Sequence, residues 1–234
     1  MDPGRLWQET RKGLLDLLFP PRCVGCERKG AYFCEACLSQ IHFVEPPQCP
    51  RCGRSSSRRG LCSFCRRYLP LIEGIRAVAY FEGGLREAIH HFKYRGLTAL
   101  APTLGKLTIA YLENASLPVE VIIPVPLHPS RTKERGYNQA LLLAQELAKE
   151  TGLPLWEDSL MRVRPTPPQI GLSAIQRREN VKDAFLPTDQ RLAGKRVLLI
   201  DDVCTSGATL EACSIALHKM GVESVWGLVL ARER

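Results

Sequence analysis

The sequence predicts an α/β protein: a parallel sheet flanked by helices, preceded by a small cysteine-rich, metal-binding module. Three observations lead there. Eight of the ten cysteines fall between residues 23 and 65, in four C-x-x-C pairs. From Arg76 onward, short all-apolar runs such as VIIPV and VLLI take turns with helical stretches. Buried strands alternating with helices imply a parallel sheet covered on both faces. The composition also shifts near Leu69-Pro70-Leu71. Residues 1–70 hold twelve basic against six acidic residues, and 71–234 hold twenty against eighteen. The predicted limits are therefore 1–70 and 71–234. With 234 residues, 45% apolar and 24% charged, the chain can bury a sizeable core, which excludes wholesale disorder.

The module comes first. Met1–Thr10 has polar residues spread through it, and the apolar run Leu14–Phe19 is broken by Asp16, too short for an export signal. Trp7 and the leucines at 14, 15, 17 and 18 read as a packing helix. No stretch approaches the roughly 20 apolar residues of a membrane span. The expectation is a cytoplasmic protein with no membrane insertion, where clustered cysteines serve as metal ligands rather than disulfides. The pairs are Cys23/Cys26, Cys34/Cys37, Cys49/Cys52 and Cys62/Cys65. Each C-x-x-C wraps one side of a tetrahedral ion, and two close a four-thiolate site. Sequential pairing gives two structural Zn2+ sites; a cross-brace pairing stays open, as do iron–sulfur or redox dithiol chemistry. All four positions of each site would be filled, leaving none for substrate. With so little apolar core, the module needs its metal to fold, and chelation is expected to unfold residues 20–70 and spare the rest.

The net charge is +8. From Pro46 to Ile72 six arginines (Arg51, Arg54, Arg58, Arg59, Arg66, Arg67) occur with no acid between them, and Phe64 and Tyr68 are interleaved. A solvated basic face explains this; so does a single-stranded nucleic-acid groove that stacks bases and neutralises backbone.

The α/β part follows in order. Arg76–Phe81 has strand composition, Leu85–Lys93 has helical spacing, and Thr103–Leu112 is a second apolar helix. Val119–Val125 is a short strand. Asn138–Glu150 is a helix ended by Gly152 and Pro154. Arg196–Asp201 is a buried strand, Ala208–Met220 a helix, and Val222–Leu230 a final strand. Ligands on such sheets sit at the carboxyl ends of the strands.

That rule singles out VLLIDDVCTSGATL, residues 197–210. A strand delivers Asp201 and Asp202 to its carboxyl end. A loop of Thr205, Ser206, Gly207, Ala208 and Thr209 then opens a helix. Its backbone N–H groups and the helix N-terminus suit a phosphate, and Gly207 admits close approach. Adjacent carboxylates suit two vicinal hydroxyls. Together these describe a ribose 5-phosphate site; the plainer alternative is a strand–turn–helix with Asp202 as a cap.

On these residues the segment resembles the phosphoribosyl-pyrophosphate (PRPP) signature of type I phosphoribosyltransferases. The whole chain resembles the ComF family of competence proteins, in which a zinc element precedes a phosphoribosyltransferase domain. The matching stretches are LLFPPRCVGC (17–26), FKYRG (92–96), VPLHPSRTKERGYNQA (125–140), RPTPPQIGLSAIQRREN (164–180) and the PRPP motif. Cys204 stands where a larger residue is common in that family; a small hydrophobe fits there.

The resemblance implies a type I phosphoribosyltransferase fold. It implies that Asp201 and Asp202 bind the ribose hydroxyls and 205–209 the 5-phosphate. Val125, Pro126 and Leu127 open a pyrophosphate loop that runs to Gly136, with Arg131, Lys133 and Arg135 as cations. Residues 164–180 become a mobile covering loop, with Arg164, Gln169 and Arg177 as contacts. Lys93, Tyr94 and Arg95 fall near the acceptor or the hood region. Lys93 and Arg135 join the two aspartates as catalytic candidates. Mg2+ would accompany PRPP, and DNA uptake would be the process, with single-stranded DNA and other competence-machinery proteins as partners. Plainer roles are surface placement for Lys93, Lys133 and Arg135, loop geometry and capping for His128 and Asn138, and a helix face for His90 and His91. Two functions follow: phosphoribosyl transfer to an unidentified acceptor, or a DNA-binding competence protein for which PRPP is a regulatory ligand.

Overall fold

A computed structural model describes residues 20–56, 59–68, 70–166 and 173–234. The expected packing helix around Trp7 and Leu14 lies outside the described residues. In chain order the elements are α1 (Glu35–Leu38), α2 (Ser63–Tyr68), β1 (Gly74–Tyr80), α3 (Gly83–Tyr94), α4 (Ala101–Asn114), β2 (Val121–Pro124), α5 (Pro129–Arg135), α6 (Gln139–Thr151), β3 (Leu160–Arg162), α7 (Ala174–Val181), β4 (Phe185–Pro187), β5 (Arg196–Cys204), α8 (Ala208–Lys219) and β6 (Ser224–Arg232).

β1, β6, β5 and β2, in that order, form one all-parallel sheet. The doubly apolar sequence of β5 explains its central place. Val197 and Leu199 join the core under α8, while Leu198 and Ile200 join the core under α3, α4 and α6. Alternate side chains thus feed opposite faces. On α3 the buried residues Leu85, Ala88, Ile89 and Phe92 recur at helical spacing.

The cysteine-rich segment is built into this sheet. Phe43 bridges Ala79 antiparallel, the Val44 N–H donates to the Val78 carbonyl at 3.0 Å, and the Tyr80 N–H donates to His42 at 2.9 Å. One sheet edge is thereby covered. On the other edge the Ile122 N–H donates to Pro154 at 2.9 Å and the Trp156 N–H to Ile122 at 2.9 Å. Neither outer strand is left as an open template. Cys23, Phe33, Cys37 and Ile41 belong to the same apolar cluster as Leu85 and Phe92. With that shared core, chelation is expected to reach the α/β part as well.

Four further expectations change. β5 runs on through Cys204 rather than stopping at Asp201, because β6 continues beside it, with Asp201 opposite Val229 and Cys204 opposite Arg232. The stretch 164–180 is not all loop. Its second half is α7, nucleated by a capping box in which Ser173 and Gln176 satisfy each other's backbone N–H. The stretch 125–136 contains α5, with His128 accepting from the Ser130 N–H at 3.3 Å and Pro129 in the first turn. Finally, β3 and β4 form an unforeseen antiparallel ladder, Leu160 opposite Pro187 and Arg162 opposite Phe185. Three-residue strands carry too little pattern to be read.

Candidate functional site

The strand ends open into a cleft of about 1070 Å³. Its floor comes from Asp201 to Thr205 and Gly207 to Leu210, one wall from Val125, Pro126, Leu127 and α5, and the opposite rim from Arg162, Arg177 and Glu233. The parallel register sets this: β2 ends at Pro124, opposite Ile200, and β5 runs on past it with Asp201 and Asp202.

Asp202 is buried, and its carboxylate takes an ion pair from Lys93 Nζ at 2.7 Å. Burial opposes the charge on Lys93, but Asp202 outweighs it and holds the ammonium above its ordinary range. The last turn of α3 delivers this lysine to the cleft. It is therefore not a surface lysine. Asp201 Oδ1 accepts the Asp202 N–H at 2.8 Å. Burial, then its neighbour Asp202, pushes the Asp201 carboxyl up to about 7; Lys93 and Arg162 pull the other way. Asp201 thus keeps its proton up to near neutrality, beside the ion pair of Asp202 with Lys93.

Gly207 opens α8 at φ 81, where a Cβ would also lie 2.9 Å from Ile75 Cδ1. Glycine is required there. Asp202 is not the cap of α8; it lies within β5. Ser206 Oγ accepts the Ala208 N–H at 3.4 Å and, unlike Thr205, Gly207, Ala208 and Thr209, does not line the cleft.

Across the cleft, Arg135 donates to Gln139 Oε1 at 2.5 Å and stacks 5.3 Å from the Tyr94 ring. Arg131 pairs with Glu134 at 2.9 Å. Both arginines line the cleft, whereas Lys133 is exposed on α5 and does not. Arg95 is likewise exposed, outside the lining. Asn138 caps α6 and ties it to the Val125 carbonyl at 3.0 Å, as its capping role anticipated. Arg177 reaches Glu233 at 3.9 Å. Arg164 donates to the Asn180 carbonyl instead of facing the cleft. Gln169 lies outside the described residues.

Two lining residues escaped the sequence reading. Arg162, at the end of β3, donates to Thr166 and lies over Phe185. Glu233 follows β6, its N–H donating to Cys204 at 3.1 Å. Neither sits in a local pattern; only pairing brings them here.

Among the described residues the cysteines form two clusters, Cys23/Cys26/Cys34/Cys37 and Cys49/Cys52/Cys62/Cys65, with all sulfurs of each within 4.8 Å of one another. Pairing is therefore sequential. Sulfur separations of 3.5 and 3.6 Å match the edge of about 3.8 Å expected for a tetrahedral zinc–thiolate centre. The Cys34 and Cys62 N–H groups donate to Cys23 and Cys49 at 3.4 Å. Against burial, such amides bring both thiols down to about 6, whereas burial pushes Cys37, Cys52 and Cys65 up in the absence of a cation. The donor sets fit zinc. Cys204 and Cys213 are buried thiols, Cys204 pushed up to about 11 by burial. His90 and His91 sit on α3, outside both clusters.

The basic stretch is dispersed. Arg51 donates to the Ile72 carbonyl at 2.8 Å, fastening the seam. Arg54 lies over Phe64 at 5.7 Å. Arg59, Arg66 and Arg67 are exposed. Arg58 lies outside the described residues. No described helix is long and apolar enough to cross a membrane.

Comparison with known proteins agrees with both halves. A double zinc ribbon domain matches residues 14–73, and a phosphoribosyl transferase domain matches residues 138–234. The chain is 35% identical over 227 residues to competence protein F of Haemophilus influenzae, covering 90% of this chain and 97% of that protein. It is 30% identical over 206 residues to DNA utilization protein YhgH of Escherichia coli O157:H7, covering 85% and 89%. Competence protein ComFC of Bacillus subtilis is 28% identical over 208 residues, covering 85% and 83%. The fold and site define a double zinc ribbon joined to an α/β domain of the phosphoribosyltransferase type. The chain belongs to the ComF family of competence proteins.

Proposed function

We propose that this protein transfers the phosphoribosyl group of PRPP to an acceptor, with Mg2+, in the handling of DNA during uptake and transformation. The observation that carries the reading is the pair Asp201–Asp202 in the carboxyl half of β5, with Lys93 on Asp202 and the glycine turn into α8 a few residues on. In this reading the aspartates hold the two ribose hydroxyls, and the loop Thr205–Thr209 holds the 5-phosphate through N–H groups and the α8 N-terminus. The anomeric C–O bond to pyrophosphate breaks while a bond to the acceptor forms, and the acceptor's proton leaves with solvent or a nearby carboxylate. Arg131, Arg135 and Arg162, which line the cleft, neutralise the departing diphosphate. Mg2+ supplies additional charge neutralisation on the diphosphate when bound. Residues 71–234 do this chemistry and 1–70 form the zinc module.

Purified protein given Mg2+ and PRPP is expected to release pyrophosphate with an acceptor drawn from nucleobases, nucleosides or single-stranded DNA. Asp201→Ala with Asp202→Ala should abolish release while both zinc ions stay bound. No release with any acceptor class sinks the enzyme reading.

The second reading is a single-stranded DNA-binding competence protein in which PRPP regulates. Exposed Arg59, Arg66 and Arg67 beside the half-exposed Tyr68 favour it, together with relatives described as competence and DNA utilization proteins.

A further inference from the structure

The second zinc ribbon does more than pack against the sheet. On α2, Phe64 and Tyr68 stand one turn apart with ring centroids 5.0 Å apart. The guanidinium of Arg178, from α7, lies 4.3 Å from the Phe64 ring and 5.6 Å from the Tyr68 ring. Its sequence neighbour Arg177 lines the cleft and reaches Glu233. The opposite partner is anchored in the same way. Arg232 is 2% exposed and donates to the Cys52 carbonyl at 2.7 Å, and the next residue is Glu233. Each member of the Arg177–Glu233 pair is therefore adjacent to an arginine gripped by the second ribbon.

α7 packs on α8 and accepts a hydrogen bond from Arg164 at the Asn180 carbonyl, but it is short. It is eight residues long, too short to persist alone. Val181 is its buried contact with the core, and Ile175 is 69% exposed. Stacking of a planar guanidinium on two aromatic faces is a directional contact that fixes a rotation as well as a position.

We infer that the Phe64–Tyr68 pair of the second ribbon is a latch that holds α7, and through it Arg177, against the PRPP cleft, with Arg178 as the positioning residue. The cleft part of this inference rests on the phosphoribosyl reading; the latch itself does not. The ribbon thus sets how tightly the cleft closes on an anionic ligand, without touching that ligand.

The test uses the full chain with zinc bound. Arg178→Gln, Arg178→Lys and Tyr68→Leu are compared with wild type by hydrogen exchange without ligand and by titration of PRPP with Mg2+. Two zinc ions per chain and an unchanged melting midpoint show that each variant is folded. The expectation is at least tenfold faster exchange of amides 175–180 in Arg178→Gln and Tyr68→Leu, and PRPP affinity weaker by about tenfold. Arg178→Lys keeps the charge but loses the stack, so it should restore less than half of either effect. The double variant Tyr68→Leu with Arg178→Gln should be no worse than the poorer single one, because one contact is removed twice.

Unchanged exchange in α7 overturns the latch. Faster exchange with unaltered PRPP affinity overturns its control of the cleft. Full restoration by Arg178→Lys overturns stacking in favour of simple charge. If wild type binds no PRPP while exchange still responds, the latch stands and the phosphoribosyl reading falls.

Discussion

Lys93 and Asp202 show what one contact decides. Asp202 is buried with Lys93 as its ion-pair partner at 2.7 Å, so Lys93→Ala leaves a carboxylate uncompensated. A loss of about 3 kcal/mol is expected from denaturant titration, and adding Asp202→Asn should return part of it. Asp201 gives a pH dependence. Its proton is held up to about 7 in the fold but lost in the ordinary carboxylate range once unfolded. Between about 4 and 7 the folded state binds the extra proton, so stability from this group falls as pH rises through that window. If the cleft takes PRPP as proposed, with the Asp201 carboxylate accepting from the ribose, its binding should strengthen as pH rises through about 7. Asp201→Asn should flatten both profiles in melting and titration series from pH 5 to 8. A wild-type stability profile identical to that of Asp201→Asn would count against the raised carboxyl.

The first ribbon joins the core of the sheet, and the second, with a small cluster of its own, abuts the sheet. Cys23, Phe33, Cys37 and Ile41 pack with Leu85 and Phe92, and Gly53 meets the strand so closely that a Cβ would lie 2.3 Å from the Ile75 carbonyl. Metal binding should therefore be linked to the stability of the whole chain. Stripping zinc with a strong chelator is expected to lower the melting midpoint of the sheet itself, read by circular dichroism, as one cooperative transition. Two separate transitions, with the later one unmoved, would contradict the shared core.

At the scale of the molecule, charge has to be counted with the metal. Eight thiolates and two Zn2+ change the formal +8 to about +4, so bulk basicity is weak support for a nucleic-acid partner. What remains is the local exposure of Arg59, Arg66 and Arg67. Replacing all three by Ser should weaken oligo-dT binding and reduce its salt slope by about 2, leaving zinc and PRPP binding intact. An unaltered slope would remove these arginines from any DNA contact.

Much of this protein was legible in the chain. The four C-x-x-C pairs announce two thiolate sites because ligand spacing is local. VLLI before D-D and T-S-G-A-T announces strand, carboxylates and phosphate loop because all lie within fourteen residues. Element ends moved by a few residues, as at β5, where pairing with β6 rather than propensity sets the limit. Arg162, Glu233, the covered edge of β1 and the grip of Phe64 and Tyr68 on Arg178 carried no signal. Each joins residues far apart in sequence, and such a contact exists only once packing has brought their elements together. The sequence by itself determined the chemistry of the thiolates and of the strand end. The tertiary structure decided which cations face the aspartates, that the first ribbon shares a core with the sheet, and that the second is fastened to it by polar and close backbone contacts.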